Sequence, residues 1–156
     1  MDILINNAGV QDSGRDIDVN LRGTIYCTEK YGIQPNIKAI IMTASVSAHN
    51  GAEFPEYCAS KGGVLAYTKN VALRVAKYGA TCNSISAGGV ITELNAHILE
   101  NKSLWDQVMA ETLIPKWATV EEMAEWTYFL AVVNKSMTAQ DVLIDNGETP
   151  KAHFVW

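Results

Sequence analysis

The chain has 156 residues, 48% of them hydrophobic, which is enough for one domain, residues 1–156, around a single core. Twelve basic against 17 acidic residues give a net charge of −5, which offers no electrostatic footprint for nucleic acid or an anionic membrane surface. Cys27, Cys58 and Cys82 lack Cys-x-x-Cys spacing, so neither a disulfide framework nor a metal site is indicated, and no apolar run approaches the roughly 18 residues that span a membrane; a cytoplasmic location is expected.

The apolar run 3–5 reads as a buried strand and is followed directly by Asn6-Asn7-Ala8-Gly9. Residues 16–32 form the first helix candidate. A second strand, 39–43, leads to Ser45 and then to the turn-rich stretch "VSAHNGAEFPE". The helix after Tyr57 is marked by Val64, Thr68, Val71, Val75 and Tyr78, which recur at three- and four-residue steps before Gly79 stops it. A third strand, 81–85, precedes Ala87-Gly88-Gly89. Helix candidates follow at 94–111 and at 120–132, the latter opened by Thr119 with Glu122 three residues on as a capping box. The last strand is 141–144. Such alternation predicts an α/β fold with a parallel sheet, right-handed crossovers and ligands beyond the carboxyl ends of the strands.

Tyr57 and Lys61, in "YCASK", stand four residues apart, which on a helix brings a phenol and an ammonium to one face. "YCTEK" at 26–30 repeats the spacing, and with six Tyr and nine Lys in the chain the spacing alone is weak evidence. Context separates the two. Tyr57 lies 12 residues after Ser45, so a strand end and a helix start can face one another and set a hydroxyl beside the phenol. Tyr26 lies within a helix candidate where Glu29 neighbours Lys30, the pattern of a solvated face. His49, His97 and His153 lack metal-ligand spacing and no acidic residue is evidently placed to orient them, so surface or loop roles are expected.

The set "NNAG" at 6–9, "VN" at 19–20, Ser45, "YCASK" at 57–61 and "AGGVIT" at 87–92, in that order, resembles the short-chain dehydrogenase/reductase family, to about Gly147. The resemblance implies a Rossmann-like doubly wound parallel sheet, NAD or NADP as cofactor, and a small-molecule alcohol or carbonyl compound as substrate. It implies that Tyr57 is the general acid/base. Lys61 supplies a cation that favours the phenolate and bonds the cofactor ribose, Ser45 bonds the substrate oxygen, and Asn20 holds a water linking Lys61 to solvent. Asn7, Ala8, Gly9, Gly88, Val90 and Thr92 complete the implied cofactor set. The family's dimers and tetramers imply a homo-oligomer built on helices 57–78 and 16–32.

Several positions carry two readings. Ser47 competes with Ser45, Asn20 also suits a local helix cap, and Asn7-Ala8-Gly9 also suit a tight turn after a strand. Trp105, Met109 and Trp117 either line the substrate side or pack their helix.

The chain also departs from the family's pattern. Ala87-Gly88 stands where Pro-Gly is usual, and only 12 residues separate Asn7 from Asn20, which implies an open rim. The usual opening strand, glycine-rich turn and pyrophosphate-binding helix are missing, so an N-terminally truncated fold with an open sheet edge is expected, inactive without that segment. The competing functions are a catalytically silent, oligomerising remnant and a small-ligand-binding module.

Overall fold

The computed structural model describes residues 1–52 and 54–150, so His153 lies outside the described residues. Four parallel strands, β1 (Ile3–Asn6), β2 (Ala39–Thr43), β3 (Thr81–Ala87) and β4 (Asp141–Ile144), form one sheet in the order β1-β2-β3-β4. They fall on the four predicted runs. Ile3 pairs with Ala39, Ile40 with Cys82, and Ser84 with Asp141. Helices cover both faces, which is why β2 reads as an unbroken apolar run rather than an alternating one.

On one face lie α1 (Thr24–Cys27), extended on both sides by wider π-helical turns (Ile17–Gly23 and Thr28–Gly32), and the long helix α3 (Pro55–Val75). Pro55 sits where a missing N–H goes unnoticed, at the first helical position. Val64, Thr68, Val71 and Val75 are each 1% exposed or less, as their spacing predicted, and Thr68 satisfies its hydroxyl on the Val64 carbonyl at 2.8 Å. A single 3₁₀ turn then ends at Gly79, whose φ of 71° is left-handed. Gly63 lets α3 approach the first helix closely, since a Cβ there would stand 2.7 Å from Leu21 Cδ2. Glu29 and Lys30 lie on the solvated face that the sequence predicted, and there Glu29 accepts from both Arg74 nitrogens at 2.5 and 2.7 Å and from the Tyr67 hydroxyl at 2.8 Å.

On the other face lies α6 (Val120–Tyr128) with its π-turn extension Phe129–Val133, opened by the predicted Thr119–Glu122 capping box. Leu130 and Ala131 bury against Ile41 and Ile85. Residues 94–111 are not one helix as expected. After the 3₁₀ turn Glu93–Asn95 they form α4 (Ala96–Leu99) and α5 (Lys102–Met109), because Asn101 restarts the chain as an N-cap, accepting from the Leu104 N–H at 3.1 Å. β1 is the first strand in the sheet order, with Ile5 48% exposed. Among the described residues no helix is long and apolar enough to cross a membrane.

Candidate active site

A groove of about 920 Å³ opens at the carboxyl ends of β1, β2 and β3 and runs towards Ile3 and Ile5. It collects Asn7, Ser45, Tyr57, Lys61, Gly88, Val90 and Thr92 from the expected set, together with Ser47. Ala8, Gly9 and Asn20 do not line it. Asn20 and Gly9 stand behind the Lys61 ammonium, since a Cβ on Gly9 would lie 3.2 Å from Asn20 Oδ1 and 3.5 Å from Lys61 Nζ.

Tyr57 occupies the first turn of α3 and Lys61 the next, so the helix itself stacks them. Lys61 Nζ lies 5.7 Å from the Tyr57 ring centre and donates to the Thr43 carbonyl at 2.8 Å. Only 5% of the lysine is exposed, and burial lowers its pKa to about 8, against which the negative charge of Asp16 works. The other pair differs. Lys30 bonds the Tyr26 hydroxyl at 3.2 Å on the outer surface of the helix, with Tyr26 61% exposed and outside the groove.

Ser45 follows β2 and Ser47 opens the four-residue helix α2 (Ser47–Asn50). The two form one unit: Ser45 Oγ accepts from the Ser47 N–H at 3.2 Å and its hydroxyl lies 3.3 Å from Ser47 Oγ. Both line the groove, so the ambiguity between them in the sequence is also a physical pairing.

Asn20 is 2% exposed within the helical segment, and its side chain does not cap its own helix. Its amide donates to the Val10 carbonyl at 2.9 Å and to Ser60 Oγ at 3.0 Å, while Oδ1 accepts from the Val10 N–H at 2.8 Å. Asn20 therefore straps the segment after β1 to α3.

Asp16 and the His49–Asp141 pair escaped the sequence reading. Asp16 is 1% exposed and accepts from the N–H groups of Asp12 and Ser13 at 3.0 and 2.9 Å, which folds the short connection from Gly9 to the first helix. Its place four residues before Asn20, on the same helix face, was the available signal. His49 corrects the expectation that no acidic residue orients it: its Nε2 lies 2.9 Å from Asp141 Oδ2.

Glycines 88 and 89 are required by close approach. A Cβ on Gly88 would meet Asp145 Cα at 2.9 Å, and one on Gly89 would meet Trp117 Nε1 at 2.0 Å. Where Pro-Gly is the family's habit, hydrogen bonds hold the chain instead, from the Val46 N–H to the Ala87 carbonyl and from the Gly88 N–H to the Ile144 carbonyl, both at 3.0 Å. Trp117 lines the groove and stacks edge-on with Trp105 at 5.3 Å, while Trp105 and Met109 stay outside the lining.

A parallel sheet thus delivers a phenol, a buried ammonium and a serine pair to one groove. Comparison with known proteins supplies the family. A family model described as "Enoyl-(Acyl carrier protein) reductase" matches residues 1–149. The chain is 35% identical over 173 residues to "Uncharacterized oxidoreductase YxbG" of Bacillus subtilis (strain 168), covering 94% of this chain and 62% of that protein. It is 27% identical over 163 residues to the 3-oxoacyl-[acyl-carrier-protein] reductase FabG of Staphylococcus epidermidis, covering 94% and 66%. Among solved structures, 4-hydroxyisoleucine dehydrogenase complexed with NADH superposes with a TM-score of 0.84 at 27% identity, covering 97% of this chain and 69% of that one. The chain belongs to the short-chain dehydrogenase/reductase family. It spans 62% and 66% of the length of the two curated relatives named.

Proposed function

We propose that the chain carries the catalytic part of an NAD- or NADP-dependent dehydrogenase/reductase that interconverts an alcohol and a ketone or aldehyde. The observation that carries this reading is the convergence of Tyr57, Lys61 and the Ser45–Ser47 pair on one groove. The relatives support it: the 4-hydroxyisoleucine dehydrogenase structure contains NADH, and an L-rhamnose 1-dehydrogenase (NAD(P)(+)) is 26% identical to this chain.

The groove suits a nicotinamide at one end. Close-packed glycine backbone lies at Gly88 and Gly89, and Asn7, Lys61, Val90 and Thr92 stand around it to hold the cofactor. A nicotinamide bound there supplies or accepts the hydride. In the reducing direction the Tyr57 hydroxyl gives its proton to the carbonyl oxygen, and in the oxidising direction the phenolate takes it back. The charge on Lys61 favours that phenolate, and the serine pair donates a hydrogen bond to the substrate oxygen. Asn20 keeps Val10 and Ser60 in place around the lysine.

A second reading, a catalytically silent subunit that acts by association, is favoured by Leu73, 79% exposed on α3. Calorimetric titration with NADH and NADPH, followed by turnover assays on a panel of alcohols and carbonyls with Tyr57→Phe as control, separates the two. Cofactor binding with Tyr57-dependent turnover supports the enzyme. Sedimentation showing a homodimer or tetramer that binds neither cofactor supports the subunit.

A further inference from the structure

We propose that His49 is a positioning residue: its bonds to Asp141 and Ser86 fix helix α2, and with it the Ser45–Ser47 hydroxyls beside Tyr57. The catalytic meaning of this tether rests on the dehydrogenase reading, whereas its existence does not.

α2 has four residues, too few to hold its own shape, so its orientation must come from tertiary ties. At its near end the Val46 N–H bonds the Ala87 carbonyl at 3.0 Å. Among the described residues the backbone of its far end makes turn bonds, from His49 to Val46 at 2.8 Å and from Asn50 to Val46 and Gly51 to Ser47, both 3.1 Å, and the Ala52 carbonyl accepts from Cys58 Sγ of α3 at 2.7 Å; these shape the turn and tie it to α3 without anchoring it to the sheet. His49 supplies the anchor. Its Nε2 lies 2.9 Å from Asp141 Oδ2 on β4 and 3.1 Å from Ser86 Oγ on β3. Asp141 is itself held, its Oδ1 accepting from Ser84 Oγ at 2.6 Å, and Ser84 is its cross-strand partner.

The chemistry fixes the direction of these bonds. A carboxylate only accepts, so the short contact to Asp141 requires the proton on Nε2, which the Ser86 oxygen then shares. Ser86 and Ser84 are 0% and 1% exposed, whereas the side chains of His49 and Asp141 are 31% and 17% exposed. A contact that open to water adds little to global stability, so the tether acts mainly on local geometry. Ser47 stands two residues before His49 and Ser45 four before it, so freeing the ring lets the far end of α2 swing and carries the hydroxyl pair with it.

The test compares the full chain with His49→Ala, His49→Gln and Asp141→Asn. Imidazole ¹⁵N shifts should show a proton on Nε2 of His49. Amide exchange at Asn50 and Gly51 should quicken on the order of tenfold in His49→Ala and Asp141→Asn while Ile41 and Val71 stay unchanged. His49→Gln, whose amide N–H reaches about as far as Nε2, should restore most of the protection. In a preparation that turns over, His49→Ala should lower kcat on the order of tenfold or more with the cofactor KM unchanged. Unchanged exchange in His49→Ala, equal quickening at Ile41 and Val71, or loosened exchange with kcat intact would each overturn the proposal. Wild-type protein that never turns over defeats the dehydrogenase reading, and the exchange and ¹⁵N results still decide whether His49 holds α2.

Discussion

Lys61 Nζ stands 5.7 Å from the Tyr57 ring centre while its hydrogen bond goes to the Thr43 carbonyl at the end of β2. The ammonium is therefore pinned by the sheet beside the phenol ring. Lys30 and Tyr26 have the same spacing and the opposite surroundings: the bond that Lys30 donates to the Tyr26 hydroxyl raises the pKa of Lys30, and water surrounds both. Burial, not spacing, separates the two pairs.

The first prediction follows from that contrast. In an active preparation Tyr57→Phe and Lys61→Ala abolish turnover, with losses of about 10² to 10⁴, while Tyr26→Phe and Lys30→Ala leave it within a few-fold. Steady-state assays on the four variants check it, and equal losses at the two pairs refute the assignment.

The second concerns pH. Lys61, lowered to about 8 by burial and supported by the Asp16 charge, is an ammonium below that pH and loses its charge above it. A profile of kcat/KM should therefore carry a fall as pH rises through about 8. Asp16→Asn removes the supporting charge, so the fall should move to lower pH; an unmoved profile would show that Asp16 does not act on Lys61.

A third prediction sets function against stability. A lysine lowered from 10.5 to about 8 disfavours the fold by about 3 kcal/mol below pH 8, and this penalty is relieved as pH rises from 8 towards 10.5. Lys61→Met removes the buried charge but strands the Thr43 carbonyl, at a loss of about 1 kcal/mol. The variant should be inactive yet about 2 kcal/mol more stable at pH 7, with the gain shrinking towards pH 10. Urea melts of both proteins measure the difference, in which the opposite trend from Cys82, pushed up to about 12 by burial, cancels.

The fourth concerns the loop after β3. Gly89→Ala would put a methyl 2.0 Å from Trp117 Nε1, so the indole must move. A loss of about 1–3 kcal/mol and a changed tryptophan emission are expected. Wild-type emission with unchanged stability would show that the loop absorbs the methyl elsewhere.

The strands, the capping box and the apolar stripe of α3 were legible in the sequence because each is a local pattern, a short apolar run or a three- and four-residue period. Tyr57 was separated from Tyr26 by the company it keeps in the chain. What could not be read locally is which polar groups lose water and meet. Parallel crossovers bring His49 to Asp141 across 92 positions and Glu29 to Arg74 across 45. Asn101 split an expected helix because its side chain satisfied a freed N–H, and Asn20 became a strap because Val10 and Ser60 came within reach. The sequence by itself determined the layered α/β order and offered the candidate residues for the chemistry. The tertiary structure decided which of them are desolvated and paired, since burial and hydrogen-bond partners are set by neighbours distant in the chain.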